Sequence, residues 1–401
     1  MTESNSPRKI DVFFYVQHLL GIGHQKRAAT LTRAMERAGL KVAFVSGGQE
    51  VPGLDWGTAD FFQLPPLKAD GIHFTALLTE EGLEADEVFK QARTARLLAL
   101  YEQLQPRLVL LEMYPFGRRQ MRFELLPLLE AAKASAVRPL IVSSVRDILV
   151  KVPKPSRLEE MLSLVRESFD SVLIHGDPEL IPFDRTFEPA REIESWLSYT
   201  GYVVDEKVDE AATTSDGRDE VLVSTGGGAV SERLVSAALE ACRLARQKGS
   251  VLARKNWRLL VGHSLPEARF RAFVETAEQL GASVVVERSR ADFTSLLKHC
   301  AVSLSQGGYN TIMETLRAGC PRVVVPYSGG LETEQTLRAA LLAESGALIN
   351  LDEETLSGKI VLDALEQALA VPQTPPEELN TSGAETTARL LQELLDRAGA
   401  R

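Results

Sequence analysis

Residues 301–327 read AVSLSQGGYNTIMETLRAGCPRVVVPY. Residues 301–305 form a short apolar run of strand type, the pair Gly307-Gly308 breaks it, and 311–318 carry apolar residues at helical spacing. Gly319 and Pro321 act as helix-stop signals, and the β-branched run Val323-Val324-Val325 suits the next buried strand. The stretch therefore predicts one parallel βαβ unit. Glycines leading into a helix N-terminus make an anion site: the first amides and the positive dipole end point at whatever lies above the strand ends, and a residue without Cβ lets a phosphate approach the backbone. The ligand class expected here is a phosphate or diphosphate. Thr311 and Glu314 admit two readings. Their T-x-x-E spacing is that of a capping box, in which the carboxylate bonds back to the cap amide. Alternatively Glu314, in the first turn beside the phosphate site, accepts hydrogen bonds from two adjacent ribose hydroxyls.

A chain of 401 residues, 44% hydrophobic and 25% charged, is expected to fold as two or more soluble globular domains. The net charge of -10 argues against a general nucleic-acid binder, which needs an excess of Lys and Arg for phosphate backbones. Cys242, Cys300 and Cys320 are scattered in apolar contexts and read as buried reduced thiols. The opening MTESNSPRK lacks the apolar core of a signal peptide, and no apolar run is long enough to cross a bilayer, so a cytoplasmic location is expected.

Strand and helix patterns alternate from the start. A strand at 10–16 is followed by QHLLGIGHQKR and a helix over about 24–38, which Gly39 stops before a strand at 42–45. Further strands are predicted at 108–111, 140–143 and 171–174, with helices at about 84–105, 123–134 and 158–169. Residues 176–189 are proline-rich and irregular, and the acidic, small-residue stretch 205–220 has the composition of a linker, which places a domain boundary near Gly201. The pattern restarts with Val221-Leu222-Val223, the turn STGGG and a helix over about 231–247, then strands at 258–261 and 283–286 flanking a helix at 267–280. The expected architecture is α/β: doubly wound, Rossmann-like domains over 1–201 and 202–375 facing each other across a cleft, with a tail at 376–401 whose helix, about 384–397, is placed against the first domain. In such sheets ligands bind beyond the carboxyl ends of the strands.

Neither glycine turn fits the common nucleotide fingerprints. GGGAVSE has no Gly-Lys-Ser/Thr to close a Walker loop, and Gly21-Ile22-Gly23-His24 lacks the third small residue of a dinucleotide motif. No apolar run leads into an Asp-x-Asp, and His18, His24, His73, His175, His263 and His299 show no zinc-ligand spacing. His24 is the leading acid/base candidate, since a histidine after glycines at a helix N-terminus is kept neutral by the dipole and can take a proton near pH 7. The plain alternative is a polar residue covering a helix end, and His18 is a competitor. Arg118, Arg119, Arg122, Arg138, Arg146, Lys151, Lys154 and Arg157 give the first half a basic stretch inside an acidic chain. They read as solvated side chains or, more sharply, as a site for an anionic acceptor or a membrane surface.

Taken together, these residues resemble the inverting, two-Rossmann-domain (GT-B) glycosyltransferases, nearest to family 28, which includes the lipid-linked N-acetylglucosaminyltransferase of cell-wall synthesis, and resemble still more a bacterial group of predicted glycosyltransferases. The match is good over 221–350 and thinner before it, apart from GIGHQKR and its helix. The resemblance implies a nucleotide-diphospho-sugar donor, UDP-linked first among the candidates, held mainly by the second domain. It puts Gly307, Gly308, Tyr309 and Asn310 at the diphosphate and Glu314 on the ribose. It puts Glu334 and Gln335 on donor-sugar hydroxyls, with Glu where the cell-wall enzyme has a first glutamine. The base-recognising backbone falls near Arg288 and Ser289. The first-domain loop with its histidine falls on Gly21, Gly23 and His24, and Gly226, Gly227 and Gly228 form the corresponding second-domain loop. The family's GGTGGH loop is here LLGIGH, so acceptor contacts do not carry over.

The function expected from this reading is metal-independent transfer of a sugar, with inversion, to an acceptor hydroxyl deprotonated by His24. No cofactor is expected besides the donor, and the acceptor is open, anionic or lipid-linked species included, with peripheral contact at the inner membrane face. Three rivals share the pattern. A nucleotide-sugar hydrolase has a similar G-x-G-H-x-x-R opening, a sugar-nucleotide 2-epimerase uses the same fold, and a non-catalytic nucleotide-sugar-binding module would need no base.

Overall fold

The computed structural model describes residues 10–19, 23–51, 53–70, 76–149, 154–205, 216–225, 231–263, 265–290, 292–327, 334–371 and 379–399. The chain divides into two compact units, Met1–Val203 together with Ser382–Arg401, and Val204–Thr381. The first runs β1 (Val12–Val16), α1 (Gly23–Arg37), β2 (Val42–Ser46), β3 (Asp60–Gln63), β4 (Lys68–Ala69), β5 (Leu77–Leu78), α2 (Glu87–Leu104), β6 (Leu108–Glu112), α3 (Arg122–Ala134), β7 (Leu140–Arg146), α4 (Pro155–Ser168), β8 (Ser171–His175) and β9 (Leu197–Tyr199). Seven of these strands form one parallel sheet in the order β3-β2-β1-β6-β7-β8-β9, and β4 pairs antiparallel with β5.

The pleat explains why these strands read as continuous apolar runs. Phe13 and Tyr15 of β1 and Val109 and Leu111 of β6 face one core, shared with Leu97 and Leu100 of α2 and Leu125 and Leu128 of α3. Val12, Phe14 and Val16, with Leu108 and Leu110, face the other, shared with Ala28, Leu31 and Met35 of α1. A parallel sheet covered on both faces has no polar side to alternate with. The same alternation decides what comes after the apolar residues. Gln17 falls on the α2 side of the sheet and Glu112 on the α1 side, one residue pair beyond Tyr15 and Leu110 respectively.

The second unit runs β10 (Val221–Ser224), α5 (Ser231–Lys248), β11 (Trp257–Val261), α6 (Glu267–Leu280), β12 (Val284–Arg288), α7 (Phe293–His299), β13 (Val302–Gln306), α8 (Tyr309–Ala318), β14 (Arg322–Val325), α9 (Glu334–Glu344), β15 (Ile349–Asn350) and α10 (Gly358–Ala370). Its parallel sheet has the order β12-β11-β10-β13-β14-β15, the doubly wound order with a reversal between the first and fourth strands. Val221 and Val223 pack toward α5, α6 and α10, while Leu222 packs toward α7 with Cys300 and Cys320. All three cysteines are buried thiols. The chain then returns to the first unit as α11 (Gly383–Gly399), whose Ala384, Ala388, Leu391 and Leu395 recur at helical spacing and enter the core that α1 shares. Gly383 admits the return: a Cβ there would lie 2.4 Å from the Gly201 carbonyl oxygen.

The strands and helices anticipated from periodicity are present with ends moved by a few residues. Strands β3, β4, β5, β9 and β15 and helices α7, α9 and α10 add to them. Strand β3 is an edge strand exposed over most of its length, so its sequence DFFQ lacks the apolar run that marks the central strands.

Candidate functional site

In the first unit the strand order reverses between β1 and β6, and the carboxyl ends of those two strands carry the candidate chemistry. Strand β1 ends before Gln17 and His18; β6 ends in Glu112, and His24 is the second residue of α1. His24 Nδ1 lies 2.6 Å from Glu112 Oε1. A carboxylate only accepts, so this contact assigns the imidazole proton to Nδ1 and leaves Nε2 as the lone-pair nitrogen. Nε2 makes no hydrogen bond among the described residues, and the His24 side chain is 14% exposed, whereas Glu112 is buried. Arg27 Nη2 donates to the same Glu112 Oε1 at 2.6 Å, and Arg118 Nη2 stands 3.5 Å from Oε2. Arg118 Nε also donates to the Gln17 carbonyl, which ties β1 to the loop after β6.

The electrostatics follow from this crowding. Burial pushes the His24 imidazole down to about 3, with Arg118 and Arg146 acting in the same direction and Glu112 opposing them. Burial alone would raise the Glu112 carboxyl; His24, Arg118 and Arg27 outweigh it and hold that group well below the usual carboxylate range. His18, also buried, is pushed down to about 4 by burial and by Arg118. It packs against the second glycine of the β2 loop, where a Cβ on Gly48 would lie 2.1 Å from His18 Nδ1. At neutral pH the pair is thus a neutral imidazole oriented by an ionised carboxylate, the arrangement of a general base. Glu112 was not among the expected site residues, although the run LVLL ending in an acid is a signal for it.

In the second unit the reversal lies between β10 and β13. Strand β13 ends at Gln306, Gly307 and Gly308 make the turn, and α8 starts at Tyr309 with Gly308 as N-cap and no side chain capping it. The first bond of the helix is Ile312 N–H to Gly308 O at 3.0 Å, so the amides of Tyr309, Asn310 and Thr311 precede the i to i−4 ladder. This start corrects the expectation for Glu314. Gly308 takes the extended N-cap conformation three residues ahead of Thr311, Thr311 lies inside the helix, and the capping box is not formed. Glu314 is the sixth helical residue, in the second turn rather than the first, one turn behind Asn310 on the same face.

The two glycines differ in what surrounds them. A Cβ on Gly307 would lie 2.9 Å from Pro326 Cα, whereas one on Gly308 would meet nothing within 4 Å. Gly307→Ala is therefore expected to destabilise the protein by about 1–3 kcal/mol through overpacking. Gly308→Ala should leave stability within about 0.5 kcal/mol and weaken nucleotide binding. Thermal melts with and without UDP separate the two, and a Gly308→Ala protein that binds UDP as the wild type does would remove the anion from this turn.

The remaining expected residues are placed as follows. Arg288 ends β12 and spends its guanidinium on the Gly262 and Leu265 carbonyls, at 2.9 and 3.1 Å, and on Glu267, stacked over Phe270. The Ser289 amide donates to Val261 O at 3.0 Å, so that N–H serves the sheet edge. Glu334 is buried and paired with Arg338 at 3.0 Å, and the Tyr327 amide donates to Gln335 Oε1 at 3.1 Å. Arg338 in turn lies over the Tyr309 ring, 4.9 Å from its centroid, which links α9 to the first residue of α8. Gly23 is the first residue of α1. Gly21, His73, Lys151 and Gly226, Gly227 and Gly228 lie outside the described residues. Much of the basic stretch is charge-paired: Arg119 and Arg122 with Glu160, and Arg138 with Asp170, while Arg118 turns inward. His175 is buried between Ser144 and Thr200. Among the described residues no group of His, Cys, Asp and Glu converges as a metal site, and no helix is long and apolar enough to cross a membrane.

Comparison with known proteins accords with this geometry. The family model described as glycosyltransferase family 28 C-terminal domain matches residues 221–394. A glycosyltransferase of Methanopyrus kandleri, itself uncharacterised, is 24% identical over 281 residues, which is 67% of this chain and 73% of that protein. The UDP-N-acetylglucosamine–N-acetylmuramyl-(pentapeptide) pyrophosphoryl-undecaprenol N-acetylglucosamine transferase of Exiguobacterium is 36% identical over 78 residues, 20% of this chain and 22% of that enzyme. Among solved structures, Acinetobacter baumannii MurG aligns with a TM-score of 0.59 at 15% identity, covering 96% of this chain and 99% of its own. The calicheamicin glycosyltransferase CalG4 aligns with a TM-score of 0.56 at 15% identity, covering 97% and 95%. Fold and domain match agree: residues 221–394 match the family 28 C-terminal domain, the fold is that of the GT-B glycosyltransferases, and the chain is a glycosyltransferase.

Proposed function

We propose that the protein transfers a sugar, with inversion and without a metal, from a nucleotide-diphospho-sugar to an acceptor hydroxyl. The observation that carries this reading is the His24–Glu112 pair, with its Nε2 open and its carboxylate fixed. In the proposed step Nε2 takes the proton of the acceptor hydroxyl as its oxygen attacks the anomeric carbon. The bond from that carbon to the diphosphate breaks on the opposite face, and the diphosphate leaves with the electron pair. Glu112 stabilises the imidazolium so formed. The negative charge on the leaving group is met by the amides that open α8, a preorganised donor set that needs no cation.

The names of the family 28 relatives support a UDP-linked donor and a lipid-linked, anionic acceptor; peripheral contact at the inner membrane face belongs to the same proposal. Apart from the donor the reading requires no cofactor. Glu314 is assigned to the ribose hydroxyls, which its place one turn behind Asn310 allows.

The test is binding of UDP in the presence of EDTA. UDP should bind, and Glu314→Ala should weaken it by roughly 1.5–3 kcal/mol, the worth of hydrogen bonds to a charged group. Calorimetry that finds unchanged UDP affinity with a lowered melting temperature would make Glu314 a structural residue. A strict need for divalent metal would sink the metal-independent mechanism.

A further inference from the structure

The loop from Glu112 to Arg118 holds two non-glycine residues in the left-handed region, Met113 at φ 64° and Arg118 at φ 58°. A β-carbon disfavours that region, and glycine is the residue that occupies it freely. The chain keeps an arginine at this position even though Gly117 stands beside it. The side chain is nearly buried, 12% exposed, and turns inward to the Gln17 carbonyl and to Glu112 Oε2. Backbone strain at a residue whose side chain reaches a candidate catalytic carboxylate is a reason to ask what that side chain does there.

A histidine and a carboxylate buried together ordinarily favour the ion pair, because the opposite charge stabilises the imidazolium. A base already protonated in this way takes no further proton. Here one carboxylate serves three cations or potential cations. Arg27 and His24 share Oε1, each at 2.6 Å, and Arg118 approaches Oε2. Among the described residues, the other charged or titratable groups around the pair are Arg146 at the end of β7, His18 after β1 and His175 at the end of β8. Arg146 acts on His24 in the same direction as Arg118. His18 feels the same Arg118 and Glu112, and His175 is occupied by Ser144 and Thr200.

We infer that Arg118 is a positioning residue for His24: with Arg27 it takes up the charge of Glu112, so that the carboxylate orients the imidazole through Nδ1 without converting it to an imidazolium. The inference rests on the reading of His24 as the base. It gives a reason for the strained backbone, since the left-handed turn is what brings the guanidinium back onto the strand end that carries Glu112.

Arg118→Gly removes the guanidinium and the strain together, and Arg118→Lys keeps a positive charge. Two readouts are taken on the full chain: UDP release from UDP-N-acetylglucosamine and UDP-glucose across the pH range, and the NMR titration of the His24 ring nitrogens. Arg118→Gly is expected to melt at or above the wild-type temperature. The His24 titration, and with it the acid limb of kcat/KM, should move up by about one unit or more, so that the loss of activity, up to about tenfold, lies below the shifted titration and is absent above it. Arg118→Lys should stay near the wild type in both. A moved titration with an unmoved rate profile supports the positioning role and removes His24 as the base. A His24 titration identical in wild type and Arg118→Gly overturns the inference, as does a pH-independent loss of activity with a lower melting temperature. Should Arg118→Gly fail to fold, the same titration on Arg118→Met decides.

Discussion

His24→Ala lowers turnover by roughly 10² to 10⁴ and leaves UDP affinity close to wild type, the range expected when a general base is removed from an otherwise intact site. The expectation follows from where the side chain sits. Its Nδ1 is committed to Glu112, and its Nε2 has no partner among the described residues. Single-turnover release of UDP measures the chemical step, and calorimetry with UDP measures the donor site separately. A loss confined to UDP affinity would make His24 a binding residue. The donor-only rate of the wild type then separates the rivals. A transferase shields its donor from water and hydrolyses it slowly until an acceptor hydroxyl arrives, so slow release is expected. Full-rate release of free sugar, abolished by His24→Ala, would make the enzyme a hydrolase. UDP-sugar binding with no turnover under any acceptor would point to a regulatory module.

The βαβ framework and the candidate base are legible in the sequence to different depths. The parallel βαβ units announce themselves because strands covered on two faces, such as VFFYV of β1 and LVLL of β6, are apolar throughout, and Gly307-Gly308 before a helix is a local signal with a local cause. His24 stands out for the same reason, next to glycines at a helix start. Its partners do not. Glu112 is 88 residues away in sequence from His24, and only the strand order, which sets β6 beside β1, brings the two together. Arg118 looked like one of a run of surface arginines, and Arg119 and Arg122 are; the left-handed turn at Arg118 alone sends it inward. Glu314 shows the opposite failure. Its T-x-x-E spacing is a valid local pattern, but the helix starts at Tyr309 with Gly308 as N-cap, which takes Thr311 out of the cap position.

The second large effect is on stability and lies on the other face of the same sheet. Arg93 of α2 and Glu124 of α3 are both fully buried, with Nε to Oε2 at 2.7 Å and Nη2 to Oε1 at 3.0 Å. Tyr15 of β1 donates its hydroxyl to Glu124, and Arg93 also donates to the Gly47 and Pro65 carbonyls and, at 2.8 Å, to Gln17 Oε1. Gln17 Nε2 reaches the His18 and Leu67 carbonyls at 2.9 and 3.0 Å, so the network fixes the chain just where it leaves β1. Both side chains are fully buried, so removing one charge strands the other away from solvent. Glu124→Leu and Arg93→Met should each destabilise the first unit by about 3–5 kcal/mol. The double variant leaves carbonyls and a hydroxyl wanting partners but no uncompensated charge. It should be less destabilised than the sum of the two by about 1–3 kcal/mol, the coupling expected of residues in one network. The cycle is read from the unfolding transition of the first unit in the full chain, since two compact units need not unfold as one. Additive single effects would mean that the two charges are held independently, by the backbone carbonyls and by Tyr15. In that case the pair would not be what holds the end of β1, and Gln17 with its carbonyl partners would remain as its local support.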